Sequence, residues 1–350
     1  MGITILFGYA FQIKKEEKYT FEKHIDINEL IVIIPFRNEE LRIKKLIDCI
    51  NNLTLIPRKF IFVNDHSEDN SIKIINNLNS TIPYEIINLA SSFKGKKAAI
   101  RHAISHQESE YNLTWDADIS LESSYFEYVK KIQKKDLHIL PVIMKGADFQ
   151  GNYFESDYSI ANAINSSVSG WKRPFLASGA NLLFNQKTFI ETDNYSSHSH
   201  IPSGDDMFLL RDFRLKNKEI ELIGSKNLAV ITESPQTISE FLQQRLRWIK
   251  KGPEVNDNLS NSLAILSLIF NLCFISNYTY LLFQKEWKLF LICFGIKSTI
   301  DLLVYLPYFY KIRRLKTWIE LPLFALIQPF YLSTLLVMML FYKPSWKGRK

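Results

Sequence analysis

Two arginines and a tryptophan lie close together just before the hydrophobic C-terminal part of this chain. The run Gln244-Arg245-Leu246-Arg247-Trp248 precedes an apolar stretch that begins near Ser262. Guanidinium groups can neutralise a diphosphate, and an indole can stack against a sugar ring. The pattern therefore predicts a place where a charged nucleotide meets a membrane. An ordinary basic helix next to a membrane is the alternative.

Two pairs of aspartates could carry out further chemistry. Asp116 and Asp118 follow a short apolar run, where they could bind one hard divalent cation that also contacts phosphates. Asp205 and Asp206 follow Gly204, and a carboxylate there could deprotonate a hydroxyl nucleophile while a diphosphate leaves. Aspartates in such positions also cap helices, so both pairs keep a structural alternative.

Two further segments have the composition of a nucleotide site. Asp65 follows an apolar run and could accept hydrogen bonds from a base or ribose, or form a turn with Asn64. The run Lys94-Gly-Lys-Lys97 precedes a predicted helix, whose N-terminus could face a phosphate. A solvated group of charges is an equal alternative for these lysines.

The elements that must position these residues alternate along the chain. Strands are predicted at 31–35, 59–63, 84–89 and 111–115, with helices near 41–50, 69–78, 96–105 and 207–215. Such alternation predicts an α/β fold of the Rossmann-like kind, a mostly parallel sheet with helices on both faces. Ligands bind at the carboxyl ends of parallel strands. Asn38, Asp65 and Asp116 are expected to emerge at that edge.

The C-terminal part of the chain predicts a membrane domain. Apolar stretches at 262–283, 288–310 and 320–342 are each long enough to cross a bilayer. We therefore divide the chain into a lead segment at 1–28, a catalytic domain at 29–258 and a membrane domain at 259–350. The apolar residues 1–11 are too short to span and could dip into a membrane. Lys297 and Asp301 share a helix face, which predicts an ion pair or, alternatively, a polar path.

Charge and cysteine content constrain the location of the protein. The net charge is +7, but basic residues cluster beside the apolar stretches, as expected near anionic lipid, so we predict no nucleic-acid partner. Three scattered cysteines suggest a reducing compartment. With a cytoplasmic soluble domain, three spans place basic residues 311–316 inside and 343–350 outside, which the positive-inside rule disfavours. One segment could instead be interfacial or re-entrant.

Taken together and in this order, the motifs resemble those of family-2 inverting glycosyltransferases with a GT-A fold, particularly membrane-anchored, polysaccharide-synthase-like members. The resemblance runs from about Ile31 to Trp248. It is carried by Pro35-Phe-Arg-Asn-Glu39, Val63-Asn-Asp-His-Ser67, Lys94-Gly-Lys96, Asp116-Ala-Asp118, Ser178-Gly-Ala-Asn181, Gly204-Asp-Asp206 and Gln244-x-x-Arg247-Trp248. Two positions depart from the family pattern: Asn64 replaces a common aspartate, and Asp205 replaces the usual glutamate.

The resemblance implies a role for each matching residue. Asp206, with Asp205, resembles the general base, and Asp118 with Asp116 the metal and diphosphate site for Mg²⁺ or Mn²⁺. Gln244, Arg247 and Trp248 resemble the motif that holds the diphosphate and the acceptor. The implied nucleotide-sugar contacts are Pro35, Arg37, Asn38, Glu39, Asp65, Lys96, Asp116, Gly179 and Asn181.

The resemblance also implies a function for the whole chain. We expect a multi-pass protein of the cell membrane, with its catalytic domain in the cytoplasm, that transfers a sugar from a UDP-sugar or other nucleotide sugar to a lipid or glycan. Proteins of envelope biosynthesis are possible partners. A processive polysaccharide synthase of the same family remains an alternative, as does a non-catalytic membrane scaffold or transporter subunit.

Overall fold

The computed structural model describes residues 2–17, 23–198, 204–255 and 258–341. The strands are β1 (Leu30–Phe36), β2 (Lys59–Asn64), β3 (Tyr84–Asn88), β4 (Tyr111–Trp115), β5 (Leu137–Ile139), β6 (Val142–Lys145), β7 (Asn181–Asn185), β8 (Ile220–Leu222) and β9 (Val230–Glu233). The helices are α1 (Gly2–Glu17), α2 (Ile43–Asn51), α3 (Ser71–Ile75), α4 (Lys96–His106), α5 (Tyr125–Val129), α6 (Phe149–Trp171), α7 (Gln186–Thr192), α8 (Tyr195–His198), α9 (Asp205–Leu215), α10 (Ile238–Val255), α11 (Asn258–Phe283), α12 (Trp287–Lys311), α13 (Leu315–Ile319) and α14 (Leu321–Phe341).

The chain divides into two compact units. The sheet unit comprises Ile13–Lys145 and Lys172–Glu233, and the helical unit comprises Met1–Gln12, Gly146–Trp171 and Ser234–Lys350. Helices α6 and α10 thus group with the apolar C-terminal helices, although the chain enters the sheet unit between them. The predicted domain boundaries at 28 and 258 remain a prediction about which segments fold alone.

The sheet unit is built on a mostly parallel sheet, as predicted. Over the described residues its strand order is β3-β2-β1-β4-β7-β5-β8, with β7 antiparallel to both of its neighbours. Strands β1, β2 and β4 are apolar because both faces of the sheet are covered. The four predicted strands match β1 to β4 to within one residue at each end.

Packing on the two faces differs in kind. On one face, aliphatic residues of β1 and β2 join Ala99, Ala103 and Phe213 from α4 and α9 in a continuous core. Elsewhere in the unit, aromatic rings cluster, with Trp115 lying 5.4 Å from Tyr125 and 5.6 Å from Phe126. Because the core fixes these strands, the loops that follow β1, β2 and β4 have fixed origins at one edge.

The helical unit contains helices with the length and composition of membrane spans. Three of its described helices qualify: Ser260–Phe283, Trp287–Lys311 and Leu321–Phe341. The predicted spans agree with these bounds to within two residues. Tyr342 and the basic residues at 343–350 lie outside the described residues. The apolar N-terminal segment is helical as α1, from Gly2 onward.

Candidate active site

The Asp-x-Asp motif follows β4 at the carboxyl edge of the sheet. Ala117 is 3% exposed and Ile119 is fully buried, so the alternate aspartates turn outward. The segment that follows β4 is held in place by Ser120, which exchanges backbone hydrogen bonds of 2.9 and 2.8 Å with Ile231. Asp116 and Asp118 are therefore partly exposed carboxylates on a rigid support.

Lys96 joins the two acidic pairs. Its ammonium lies 2.6 Å from Asp116 Oδ1 and 3.4 Å from Asp205 Oδ2. Burial disfavours the charged ammonium and would lower its pKa, but the carboxylates of Asp116, Asp205 and Asp206 outweigh this effect. The pKa of Lys96 is therefore raised above its ordinary value, and the side chain is a permanent cation.

Gly179 leaves room for Lys96 and Asp205 to approach each other. A Cβ placed on Gly179 would lie 2.4 Å from Asp205 Oδ2 and 2.7 Å from Lys96 Nζ, so no other residue fits there without displacement. The Gly179 amide donates to Asp206 Oδ2 at 3.2 Å, and its carbonyl accepts from the Thr114 hydroxyl at 3.1 Å. Gly179 thus links β4 to the second acidic pair.

The second acidic pair begins helix α9. Gly204 precedes the helix with a φ of 87°, a left-handed conformation that suits glycine. Asp205 and Asp206 occupy the first turn, where the helix dipole favours carboxylates. Asp206 also accepts from the Met207 amide at 2.8 Å through its other oxygen. The alternative role of this pair as helix caps is wrong, because the helix begins at Asp205, its N-cap residue is Gly204, and no side chain of the described residues makes a capping hydrogen bond there.

Asp65 anchors the turn that carries Lys96. It is 2% exposed, and its Oδ2 accepts from the Gly95 amide at 3.0 Å. Gly95 has a φ of 92°, which explains why glycine separates the lysines. Asn64 fixes the same region, since its amide donates to Asn88 Oδ1 at 2.8 Å and its Oδ1 accepts from the Ser67 amide at 2.9 Å. Asn64 therefore acts as a turn residue here.

The loops after β1 and β2 are bonded to each other. Asn38, at a φ of 50°, accepts from the Glu68 amide at 2.9 Å and donates its own amide to the Ser67 hydroxyl at 3.1 Å. The Asp69 carboxylate accepts from Ser71 and from the Glu40 amide. Burial tends to raise the pKa of Asp69, but these hydrogen bonds lower it below its ordinary value.

The remaining predicted residues of this segment have different surroundings. Pro35 lies within β1, and Arg37 is half-buried beyond its end. Glu39 is 7% exposed and donates its backbone amide to the Ser71 hydroxyl at 2.9 Å. These surroundings fix Glu39 in the loop network that borders the candidate nucleotide side.

Arg42 is a site residue that the sequence reasoning missed. Its guanidinium lies 2.6 Å from Glu39 Oε2 and 3.4 Å from Asp118 Oδ2. Arg42 and Asp118 are 76 residues apart, so no local pattern signals the pair. The only hint is a cation just after the predicted Pro35–Glu39 motif. A cation that binds Asp118 would compete with Arg42.

Asn181 has an environment that the motif did not suggest. Its side chain is fully buried, where its amide donates to Pro141 O at 2.8 Å and Leu228 O at 2.9 Å. Its Oδ1 accepts from the Tyr125 hydroxyl at 2.6 Å. These bonds hold the start of β7, so an influence of Asn181 on a ligand would act through the position of Gly179.

The Gln-x-x-Arg-Trp motif belongs to the helical unit. Gln244, Arg247 and Trp248 lie on α10, with Gln244 and Arg247 half-buried and Trp248 38% exposed. Arg245 lies 4.4 Å from the Trp248 ring. The structure thus brings together Lys96, Asp116, Gly179, Asp205 and Asp206 in the sheet unit, whereas the Gln-x-x-Arg-Trp motif lies in the other unit.

A divalent cation would find oxygen ligands at Asp116 and Asp118. Within the described part of the chain, no three His, Cys, Asp or Glu side chains form a preformed metal cluster. Mg²⁺ commonly binds one or two carboxylates together with substrate phosphates. The two partly exposed aspartates fit that mode, in which the substrate completes the coordination.

Comparisons with known proteins agree with the fold. Residues 31–199 match the sequence profile of the family described as glycosyl transferase family 2. The mannosyltransferase PcManGT from Pyrobaculum calidifontis, solved with GDP-Man and Mn²⁺, is 14% identical, covers 93% of this chain and 94% of its own, and has a TM-score of 0.54. None of the curated protein sequences matches this chain.

Two further solved structures are more distant. S. aureus TarS 1–349 with UDP-GlcNAc is 14% identical with a TM-score of 0.42, covering 62% of this chain and 65% of its own. Glucosyl-3-phosphoglycerate synthase from Mycobacterium tuberculosis, solved with Mn²⁺, UDP and phosphoglyceric acid, is 15% identical with a TM-score of 0.43, covering 63% of this chain and 78% of its own. The chain spans less than two thirds of the length of TarS 1–349. Residues 31–199 thus match the glycosyl transferase family 2 profile, and the strand topology is that of a GT-A-like fold.

Proposed function

We propose that this protein is a membrane-bound inverting glycosyltransferase that moves a sugar from a nucleotide sugar, a UDP-sugar in the first instance, to a hydroxyl of a lipid or glycan. The observation that carries the proposal is the cluster in which Lys96 contacts Asp116 and Asp205 while Gly179 binds Asp206. It joins a permanent cation, an oxygen-ligand pair and the carboxylate of Asp206 at the ligand edge of the sheet.

The donor would bind across the loops that follow β1, β2 and β4. Asp65 lies at the nucleotide side, bordered by Pro35, Arg37, Asn38 and Glu39. Lys96 faces the diphosphate, where its charge offsets the negative charge that grows on the leaving group. Mn²⁺ or Mg²⁺ held by Asp118 and Asp116 would supply Lewis-acid stabilisation of the same phosphates. The Mn²⁺ complexes of PcManGT and of the glucosyl-3-phosphoglycerate synthase support this choice.

The transfer step uses Asp206 as the base. The acceptor oxygen forms a bond to the anomeric carbon as the bond from that carbon to the diphosphate oxygen breaks. The acceptor proton passes to Asp206, and the nucleoside diphosphate leaves with the bonding electron pair. Attack from the face opposite the leaving group inverts the configuration. Asp205, paired with Lys96, holds the second acidic motif in register with the first.

Gln244, Arg247 and Trp248 are assigned to the diphosphate and the acceptor, as the family resemblance implies. The three apolar helices support attachment to the cell membrane with the sheet unit in the cytoplasm. Lys297 and Asp301 pair with each other, which weakens the alternative of a transporter with an unpaired polar path. Acceptors at the membrane surface and partner proteins of envelope biosynthesis follow from the same assignment.

The test is release of the free nucleoside diphosphate by detergent-purified protein over a panel of UDP- and GDP-sugars with Mn²⁺ or Mg²⁺. We expect metal-dependent release from one donor, abolished in Asp118→Ala and Asp206→Asn. Glu127→Gln serves as a matched control, since this carboxylate pairs with exposed Lys130. Stimulation by extracted membrane lipid would identify a lipid acceptor. Absence of release from every donor, together with absence of nucleotide binding, would contradict the proposed activity.

A further inference from the structure

Helix α14 has two faces with different surroundings. Leu321, Phe324 and Leu335 are each buried to at least 95% within the helical unit. Apolar residues of the opposite face are exposed: Leu323, Ile327, Phe330, Val337 and Phe341. Residues three, four and seven apart share one side of a helix. One face of α14 therefore packs on protein along most of the helix, and the other is free and apolar.

The packed face meets polar helices halfway along α14. The Tyr153 hydroxyl of α6 donates to Gln328 Oε1 at 3.2 Å. The ring of Phe241 on α10 lies 5.3 Å from that of Tyr331. Tyr331 is at the middle of the 21-residue helix. This midpoint therefore contacts α6 and α10, both of which carry charged residues.

A buried ion pair lies in the same contact. Arg245 Nε is 2.6 Å from Asp157 Oδ2, and the guanidinium lies 4.8 Å from the Phe241 ring that Tyr331 also contacts. Arg245 is 5% exposed. If α14 crossed a bilayer, Tyr331 would lie near the centre of the bilayer and these charges would lie beside it. Charged side chains at that depth are energetically costly.

The described part of α14 beyond this contact is too short to cross on its own. Residues 332–341 lie beyond the contact with α10. At 1.5 Å per residue they extend about 15 Å, half of the roughly 30 Å hydrocarbon core. A helix that rests on charged neighbours along its first half and is short beyond them fits the bilayer surface.

Helices α11 and α12 share some of these neighbours, since α12 contacts α14 and α6 and α11 contacts α10. They pack on each other, with the Tyr278 and Phe290 rings 5.3 Å apart. An ion pair of this hairpin, Lys297 with Asp301, is internal to α12 and lies beside Phe274, whose ring is 5.4 Å from Lys297 Nζ. Paired charges of this kind are compatible with a bilayer.

Charge placement favours the same arrangement. If only α11 and α12 cross, the basic residues at 311–316 and those at 343–350 lie on one side of the membrane, together with the sheet unit. The positive-inside rule prefers that side to be cytoplasmic. The exposed Arg313 and Lys316 can then face anionic lipid, while Arg314 is held by Glu155.

We propose that α11 and α12 form the only membrane-crossing pair among the described helices and that α14 lies along the cytoplasmic leaflet. Its exposed face, from Leu323 through Phe330 to Val337, is the lipid-binding surface. This inference rests on the membrane attachment in the proposed function but not on the reaction. It places the C-terminus in the cytoplasm.

Depth measurements on matched triplets test this proposal. Single-cysteine variants of the full chain, with Cys49, Cys273 and Cys293 replaced by serine, are spin-labelled in vesicles at Leu323, Phe330 or Val337. Their depth is read from oxygen and nickel-chelate accessibility. A second triplet at Leu289, Ile296 and Leu303 on α12 is the control. All six positions are exposed and apolar.

The two outcomes are distinct. An in-plane α14 gives three equal depths, whereas a crossing helix gives steps of about 10 Å for every seven residues, as α12 is expected to do. Steps along α14 like those along α12 would overturn the proposal, as would equal depths along α12. Impermeant maleimide on cells provides a second test. Lys316→Cys and Lys350→Cys should label only after permeabilisation, and Gln284→Cys before it. Any other pattern contradicts the proposed topology, whatever the transferase assay shows.

Discussion

At the residue scale, Lys96 is the side chain on which the two acidic motifs depend. Its charge offsets Asp116 and Asp205 in the resting cluster and faces the leaving diphosphate in the proposed reaction. A residue that only neutralised neighbouring carboxylates would affect stability. A residue that stabilises the departing diphosphate would affect turnover more than donor binding.

We expect Lys96→Met to lower kcat by about 100-fold or more, the cost of removing one donor that stabilises transition-state charge. KM for the donor should change much less. Lys94→Met is the matched control because Lys94 is exposed in the same turn. Steady-state kinetics and the Tm of each variant separate the two roles. A lower Tm with unchanged kcat would assign Lys96 to structure alone.

Gly179 is the second residue whose replacement should have a clear effect on activity. An alanine there would place a methyl group 2.4 Å from Asp205 Oδ2, so the Lys96–Asp205 contact must open. We expect Gly179→Ala to lose most transferase activity, because the Asp205 carboxylate and the Lys96 ammonium must both move, while the Tm changes little because both are the ends of flexible side chains.

The control for Gly179 is Gly295→Ala, since a Cβ at Gly295 meets no atom within 4 Å. Activity assays and thermal melts of both variants, run side by side, give the comparison. Wild-type activity in Gly179→Ala would show that the close approach of Gly179 to Lys96 and Asp205 is not needed.

At the element scale, the strands of the sheet were predictable and several helices were not. Strands β1, β2 and β4 are continuous apolar runs because both sheet faces are covered. Helix α6 carries serine, asparagine and glycine, which have modest or poor helix propensity, so its helical form depends on its neighbours. Local sequence does not reveal such support.

The candidate site likewise contains motifs that the sequence predicts and contacts between distant residues that it does not predict. Asp116, Asp205 and Lys96 were predicted as separate motifs, and the strand order explains why they meet. The Arg42–Asp118 contact and the buried hydrogen bonds of Asn181 join residues distant along the chain. Both depend on how the segments fold over the sheet, which no motif or periodicity encodes.

Helices α6 and α10 are joined by the ion pair between Asp157 and Arg245. Arg245→Met would leave Asp157 without its cation beside a largely buried position, and breaking such a pair costs about 3–5 kcal/mol. We expect a clearly lowered Tm in detergent. The double variant Arg245→Met with Asp157→Leu should recover most of the loss, because no unpaired charge remains.

A different result would be equally clear. If the single and double variants melted at the wild-type temperature, the pair would contribute nothing to the packing of α10. Donor binding, measured on the same preparations, shows whether the orientation of α10 affects the neighbouring Gln244 and Arg247. Asp157→Asn alone provides the comparison in which the guanidinium stays and the carboxylate is lost.

At the scale of the whole molecule, the helical unit draws on three separate stretches of sequence. Glu155 on α6 shows how one of these stretches depends on contacts with another. It is fully buried, accepts from Arg314 Nε at 2.6 Å and from the Thr317 hydroxyl at 2.7 Å, and also binds the Gly146 amide at 2.9 Å. The hydrogen bond with Glu155 raises the pKa of Arg314, so the guanidinium stays charged.

A chain ending at residue 258 therefore tests whether the predicted catalytic domain can fold alone. We expect it to aggregate without detergent, because Glu155 loses Arg314 and Thr317 while the α6 surface that packs on α14 becomes exposed. An unpaired buried charge costs about 3–5 kcal/mol, a large part of the roughly 5–15 kcal/mol that stabilises a typical fold.

Size-exclusion chromatography and circular dichroism measure whether the shortened chain is folded and soluble. Glu155→Gln in the shortened chain should recover part of the soluble fraction if the charge dominates, and none if the apolar surface does. A monodisperse wild-type fragment that binds donor as tightly as the full chain would mean that the sheet unit tolerates α6 without its helical partners.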